Sequence, residues 1–153
     1  MCPGEPMTVY CSRTGTRRNL SEMRRYGFRL LLSPRGVLRT EGMRYCLDNG
    51  AWTSFTKGEP FDYAAFWGAL DTFGAGADFA VVPDRVGNKP ETLVMSESCV
   101  DRVMGGAGVA LLAVQDGMTE RDLVRPLSPR IGLFVGGSTG WKEETMRSWG
   151  RLP

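Results

Sequence analysis

Six short, mostly apolar runs alternate with stretches of helical periodicity, and this alternation limits the fold more than any other feature of the sequence. The runs are residues 8–11, 28–33, 44–47, 78–82, 109–114 and 131–135. Runs that are apolar throughout are typical of parallel strands, which are covered on both faces. An order of strand, helix, strand, helix predicts right-handed crossovers. The sequence therefore predicts an α/β fold, either an open doubly wound sheet or part of a (β/α)8 barrel.

Local signals mark helices between these runs. The spacing of a capping box, or a hydroxyl after a turn, predicts three helix starts, namely Asn19 with Glu22, Asn88 with Glu91, and Thr119. Gly27 is placed to end the first of these helices. Apolar residues at helical spacing from Tyr63 and from Leu93 onward indicate two helices that face the core.

The chain length is that of one domain. A domain near 153 residues buries roughly 70% of its unfolded surface, and no repeat or linker divides residues 1–153. No apolar run approaches the roughly 20 residues that cross a bilayer, and the first residues lack the apolar centre of a signal peptide. We therefore expect a single cytoplasmic domain with no membrane partner.

The composition excludes several kinds of site. The chain has no histidine, which removes Ser-His-Asp and Cys-His catalysis and any histidine-based metal centre. Its four cysteines show no CxxC spacing, so buried free thiols are expected rather than a zinc site. Acid–base chemistry must fall to carboxylates, tyrosines or lysines, and we expect neither a metal nor a cofactor.

Positive charge is concentrated near the amino end. The whole chain has a net charge of +2, whereas residues 1–30 hold six arginines and two acids. The planar guanidinium suits phosphate. Arg13, Arg17 and Arg18, which follow the first apolar run, are therefore candidate contacts to nucleic acid. A solvated loop and helix face is the alternative interpretation.

Polar residues and glycines follow four of the runs. They are Asp48, Asn49 and Gly50, then Pro83 and Asp84, then Gln115 and Asp116, then Gly136 and Gly137. The carboxyl ends of parallel strands meet at one edge, where α/β proteins bind their ligands. A carboxylate accepts hydrogen bonds from an N–H pair, an amide donates to a carbonyl, and glycine permits close backbone approach. The set points to recognition of a planar heterocycle with an amide-like edge.

In their order along the chain, these segments resemble the tRNA-guanine transglycosylases. The shorter, often phage-encoded relatives that insert 7-deazaguanines into DNA are the most similar, and the resemblance runs from about residue 28 to the C-terminus. "DNGAW" resembles the family's Asp-Ser/Asn-Gly-Gly/Ala-aromatic turn, and "VVPD" its purine-gripping aspartate segment. "AVQDG" resembles its Val-Gln-Gly stretch, with Asp116 in place of the final glycine, and "FVGGSTGW" resembles its Gly-Gly segment.

The resemblance implies a role for each matching residue. Asp48 would be the catalytic, proton-handling aspartate. Asp84 would hold the exocyclic amine and ring N–H of the purine, and Gln115 would read the base. Gly136 and Gly137 would contact the base carbonyl and line the nucleoside site. The substrate-binding set is Asn49, Gly50, Asp84, Gln115, Gly136 and Gly137.

The family's reaction is base exchange. An aspartate attacks the sugar C1′, guanine departs, and the incoming deazaguanine displaces the enzyme, with no metal in the chemistry. The implied fold is a (β/α)8 barrel, of which this sequence supplies about six βα units. The implied partners are guanine or a 7-deazaguanine and a nucleic acid, with DNA favoured over tRNA.

The family's nucleophilic aspartate follows a later strand than the six runs of this chain. We therefore expect the nucleophile to come from other sequence. Within this chain only Asp48, Asp84 or Asp116 could serve. A partial barrel leaves strand edges unpaired, so we also expect a longer natural chain, a homodimer or a partner chain that completes the barrel.

Two other functions stay open. The chain could be a non-catalytic purine-binding module or partner subunit, or an unrelated barrel enzyme that binds a sugar phosphate at Gly136 and Gly137.

Two smaller signals in the sequence also have two interpretations each. Trp52 and Phe55 could stack on a base or lie in the core beneath the barrel mouth. Residues 12–19 could contact phosphate or form a solvated loop, and their spacing is not that of a Walker motif.

Overall fold

The chain folds around one sheet of six parallel strands, in a computed structural model that describes residues 7–12 and 16–152. The strands are β1 (Tyr10–Ser12), β2 (Arg29–Leu32), β3 (Tyr45–Leu47), β4 (Ala80–Val81), β5 (Ala110–Val114) and β6 (Ile131–Val135). The helices are α1 (Arg17–Arg25), α2 (Ala51–Thr56), α3 (Tyr63–Phe73), α4 (Lys89–Ala107) and α5 (Thr139–Trp149). The predicted α/β class with a parallel sheet is confirmed.

The strands lie side by side in chain order, β1-β2-β3-β4-β5-β6. A doubly wound sheet reverses its strand order at a switch point, and this order has no reversal. Each of the six predicted runs overlaps a strand. The strand β6 has the predicted bounds, β2 to β5 lie within their runs, and β1 extends one residue beyond its run, to Ser12. The strand β4 is the shortest at two residues, because Pro83 beyond it has no N–H to continue the ladder.

The helix starts agree with the sequence in part. Asn88 caps α4 as predicted, since its side chain accepts from Glu91 N at 3.0 Å. Asn19 is not a cap, and that prediction is wrong. The cap of α1 is Thr16, whose Oγ1 accepts from the backbone N of Asn19 at 3.2 Å. Gly27 follows the end of α1 with φ +70°, as its position predicts.

The connections between strands differ in kind. Residues 33–44, all of them described, join β2 to β3 without a helix, whereas two helices lie between β3 and β4. Thr119 heads only a single 3-10 turn, Glu120–Asp122, on the way to β6. In the part of the chain that the structure describes, none of the helices has the length and apolar character that crossing a bilayer requires.

The core lies between the sheet and the helices. Paired residues of a parallel ladder point to the same side. The side that faces the helices includes Leu30, Leu32, Leu47, Ala80, Val82, Ala110 and Leu112. These pack against buried helix residues that include Leu20, Met23, Phe66, Leu70, Val100 and Val103. On the opposite side, Leu31 and Leu111 are half-buried and Phe134 is exposed.

A polar cluster lies at the amino edge, where the strands begin. Its centre is Asp78, which accepts hydrogen bonds from Tyr10 Oη at 2.8 Å, Arg29 Nη1 at 2.9 Å and Arg44 Nε at 3.0 Å. Burial raises the pKa of Asp78, but these hydrogen bonds outweigh it and hold that pKa below its usual value. The cluster joins β1, β2 and the residue before β3 to the segment that leads into β4.

Candidate functional site

The turn after β3 places two polar side chains at the carboxyl edge, where the strands end. Asp48 Oδ2 accepts from the backbone N of Gly50 at 3.2 Å, and Asn49 Oδ1 accepts from Ala51 N at 2.9 Å. Gly50 has φ +81°, a conformation that favours glycine, and it is the N-cap of α2. The strand therefore passes directly into a helix, and the turn fixes the directions of Asp48 and Asn49.

Asp84 is at the centre of the buried polar cluster that forms at this edge. Asn49 Nδ2 donates to Asp84 Oδ1 at 2.6 Å and to Val82 O at 2.8 Å. The Nε2 of Gln115 donates to the other oxygen, Asp84 Oδ2. Asp84 is 8% exposed and Gln115 is 1% exposed. Three of the residues predicted from three separate strand ends are thus in direct contact.

Gln115 also ties this cluster to the loop before α4. Its Oε1 accepts from Gly87 N at 2.6 Å, and its Nε2 donates to Arg85 O and Thr92 Oγ1, each at 3.0 Å. Thr92 in turn accepts from Arg85 N at 3.1 Å and donates to Arg85 O at 3.0 Å. The amide of Gln115 is therefore engaged within the protein, where it orients Asp84.

Sequence reasoning missed Thr92, which is fully buried. A single hydroxyl one turn into a helix is an ordinary surface residue in most sequences. The available signal was its position four residues after the Asn88 cap.

The two carboxylates of the site have raised pKa values. Burial raises the pKa of Asp84 to about 6, the hydrogen bond from Asn49 opposes the rise, and the charge of Asp48 adds to it. Burial also raises the pKa of Asp48, against hydrogen bonds from the backbone of Gly50 and Asn49 and from Ser33. Among residues 7–12 and 16–152, no arginine or lysine forms an ion pair with either carboxylate. Both groups can therefore exchange a proton closer to neutral pH than ordinary aspartates do.

Gly136 and Gly137 follow β6, on the side of the site next to β5. Gly136 N donates to Val114 O at 2.9 Å, and a Cβ at Gly136 would lie 3.8 Å from Gln115 Cγ. Gly136 therefore packs beside the buried cluster. Gly137 has φ +79°, and a Cβ there would lie 2.6 Å from Asp116 Oδ2, so only glycine fits without displacement.

Asp116 does not join the buried cluster. Its Oδ2 accepts from Ser138 N at 2.7 Å, and its Oδ1 accepts from the Ser138 hydroxyl. These hydrogen bonds hold the pKa of Asp116 below its usual value. Ser138 is the N-cap of α5, so Asp116 secures the start of that helix.

The predicted arginine contacts lie only partly within the described chain. Arg17 and Arg18 are exposed in the first turn of α1, which follows β1 and so begins at the carboxyl edge. Arg13 falls outside the described residues. The structure thus places two of the three arginines at the same edge as Asp48 and Asp84.

Trp52 and Phe55 lie on α2, close to Asp48 in the chain. Their exposed fractions are 64% and 48%, and their ring centroids are 5.6 Å apart. The core alternative is therefore wrong for both rings. They form an exposed aromatic pair beside the candidate site.

Among the residues that the structure describes, no three histidine, cysteine, aspartate or glutamate side chains are grouped as metal ligands would be. No protein-family model matches the chain, and neither a curated protein nor a solved structure matches it significantly.

Proposed function

We propose that this chain is a transglycosylase-like protein that binds guanine or a 7-deazaguanine and exchanges it into nucleic acid, with DNA as the preferred polymer. The observation that carries the proposal is the buried Asp84 carboxylate, held by Asn49 and Gln115, with its pKa raised to about 6. A buried carboxylate with a raised pKa, at the carboxyl edge of a parallel sheet, is a candidate functional group. In this proposal the protein acts in the cytoplasm, where its nucleic acid is accessible.

Asp84 would accept hydrogen bonds from the N–H groups of the purine. A carboxylate has about four acceptor positions, and two amide donors occupy one on each oxygen. The remaining positions can serve a ligand, and the ionised form is the one that accepts. Binding is therefore expected to strengthen as the pH rises through about 6, the pKa of Asp84.

Asp48 would handle the proton of the exchanged base. Its raised pKa keeps a larger fraction protonated near neutral pH than an ordinary aspartate has. It would donate that proton to the departing guanine and recover one from the incoming base. The nucleophile that attacks C1′ is assigned to sequence or a partner beyond the residues of this cluster.

The strand order supports a barrel-type fold. Consecutive parallel strands with right-handed crossovers place their helices on one side of the sheet, as in a (β/α)8 barrel. Leu31, Leu111 and Phe134 on the other side would face the barrel interior. Closure as a (β/α)8 barrel needs eight strands, so further sequence, a second copy or a partner chain would complete the structure.

A calorimetric titration with guanine and with 7-cyano-7-deazaguanine tests the base site. We expect binding by the wild type and at least a tenfold loss in Asp84→Ala, because a hydrogen bond to a charged group contributes about 1.5–3 kcal/mol. Asp71→Ala, an exposed aspartate on α3, is the matched control. Absence of binding by the folded wild type would contradict the proposal.

A second candidate is a non-catalytic purine-binding module, the partner subunit of a catalytic chain. It is favoured by the internal hydrogen bonds of Gln115, which hold the site together without supplying a nucleophile. Exchange of labelled guanine into a guanine-containing oligonucleotide by this chain alone would exclude the module. Binding without exchange by this chain agrees with both candidates, because the leading proposal also assigns the nucleophile to residues outside the cluster.

A further inference from the structure

A hollow of about 280 Å³ lies at the amino edge of the sheet, on the side of the molecule opposite the candidate site. Three arginines line it, namely Arg24 near the end of α1, Arg29 at the start of β2 and Arg44 just before β3. The volume is several times that of a water molecule, roughly 30 Å³. A small anion therefore has room between the guanidinium groups.

The arginines of the hollow exceed the acids that neutralise them. Arg29 and Arg44 share a single carboxylate, that of Asp78. Arg24 donates to the backbone oxygen of Glu41, which carries no formal charge. Among the residues that the structure describes, the three arginines that line the hollow and the Asp78 carboxylate leave an excess of two positive charges.

The charges next to the hollow do not remove this excess. Arg25 lies 3.8 Å from Glu22, and the Arg39 Nε lies 3.6 Å from the Glu41 carboxylate. Each pair cancels within itself. The positive potential of the three lining arginines thus persists, and it favours a bound anion.

The hollow is also open to solvent. The Arg44 side chain is 68% exposed, and it contacts Asp78 through Nε and Nη2. Gly27 and Gly42 border the space with φ of +70° and +71°, and no atom lies within 4 Å of where a Cβ would be. The backbone at both positions requires glycine, and the absence of side chains there keeps the entrance wide.

We propose that this hollow binds a phosphate group. Guanidinium groups present N–H donors in a planar fork that matches phosphate oxygens, and several of them around one anion give charge-assisted hydrogen bonds. The phosphate could belong to a polynucleotide backbone or to a free anion. Helix α1 joins the hollow to Arg17 and Arg18 at the other edge, over nine residues or about 14 Å. A backbone that follows α1 would contact both ends.

The test uses two probes on the whole chain. Oligothymidylate, which contains no guanine, is followed by fluorescence anisotropy over a series of salt concentrations, and inorganic phosphate is titrated by calorimetry. The variant is Arg24→Ala with Arg44→Ala. The control is Arg102→Ala with Arg121→Ala, which removes two charges elsewhere on the surface. We expect the variant, and not the control, to lower the slope of log K against log[salt] by about one.

Each outcome is decisive. A lowered slope for oligothymidylate identifies a polynucleotide phosphate. Loss of inorganic phosphate binding with unchanged oligothymidylate binding identifies a free anion. If the arginine variant and the control behave alike toward both probes, the proposal is overturned. The double variant Arg24→Lys with Arg44→Lys keeps the positive charges but lacks the planar guanidinium groups. We expect it to retain the slope of log K against log[salt]. It thereby shows that an effect of the alanine variant is not caused by misfolding.

The proposal does not depend on the base site. Asp84→Ala is expected to leave oligothymidylate and phosphate binding unchanged, whereas the double arginine variant is expected to leave guanine binding unchanged. Failure of the phosphate site and failure of the proposed function are therefore separate results.

Discussion

Two aspartates flank β4, and their surroundings are opposite. Asp78 lies before the strand, at the amino edge, where Arg29, Arg44 and Tyr10 donate to it. Asp84 lies beyond the strand, at the carboxyl edge, where only the neutral amides of Asn49 and Gln115 donate to it among the described residues. The first carboxylate has a lowered pKa and the second a raised one.

The opposite pKa shifts of Asp78 and Asp84 indicate different contributions, to stability at the amino edge and, under the proposed function, to binding at the carboxyl edge. A carboxylate with two arginine partners is stabilised as an anion and ties strands together. A buried carboxylate without a cation is less stable as an anion, so a ligand that donates N–H groups can improve its environment. In α/β barrels the carboxyl edge carries the chemistry and the amino edge the stability, and the proposed function assigns the two aspartates in the same way.

The largest expected effect is a pH dependence of stability caused by Asp84. Its pKa rises from 3.8, the ordinary value for an aspartate, to about 6 in the folded chain, which corresponds to about 3 kcal/mol. The folded state therefore binds the proton more tightly, and stability falls as the pH rises from about 4 to about 6. The free energy of unfolding of Asp84→Asn, taken relative to that of the wild type, should therefore rise by about 3 kcal/mol between pH 4 and pH 7. Urea denaturation at the two pH values measures it.

Asp78→Asn provides the opposite case. Its lowered folded pKa contributes stability that is present above the unfolded value and is lost as the pH falls. The difference between Asp78→Asn and the wild type should therefore shrink toward low pH. If the free energies of unfolding of Asp84→Asn and the wild type differ by the same amount at pH 4 and at pH 7, the contrast between the two edges is absent.

The second largest expected effect is the loss of stability when the amino-edge cluster around Asp78 is removed. We expect Asp78→Ala to lower the free energy of unfolding by about 2 kcal/mol at pH 7, because two guanidinium groups lose their carboxylate partner. Asp71→Ala removes an exposed ion pair with Arg102 and should stay within about 0.5 kcal/mol of the wild type. Equal effects of the two variants would show that the cluster is no more than a surface ion pair.

The sequence predicted most of the fold because the strands are mostly apolar. The strand β6 has the predicted bounds, four other strands lie within their predicted runs, and β1 ends one residue beyond its run. Asn19 failed as a helix cap because Thr16, three residues earlier, is also a preferred N-cap residue and the helix starts there. Local capping signals do not choose between two candidates about one turn apart, since either one can accept from the free backbone N–H groups of a helix that starts there.

The site was predictable in its members but not in its contacts. Asp48, Asn49, Asp84 and Gln115 were identifiable because each follows a strand, and parallel strands end at one edge. Their mutual hydrogen bonds, and the burial that raises the pKa of Asp84, depend on side-chain packing between β3, β4 and β5. Sequence spacing carries no information about that packing, and the role of Thr92 was hidden for the same reason.

The smallest expected effect compares the aromatic pairs at the two edges. Tyr10 and Phe79 pack edge to face at 5.0 Å beside Asp78, whereas Trp52 is largely exposed beside the candidate site. We expect Trp52→Ala to leave the free energy of unfolding within about 0.5 kcal/mol of the wild type, since its ring buries little surface.

If the Trp52 ring stacks on a base, the same variant should weaken binding of a guanine-containing oligonucleotide by about 1 kcal/mol. Val94→Ala, at an exposed apolar residue of α4, is the control for both measurements. A large loss of stability in Trp52→Ala would make this ring a structural element like the pair at the amino edge, and unchanged affinity would remove α2 from the binding surface.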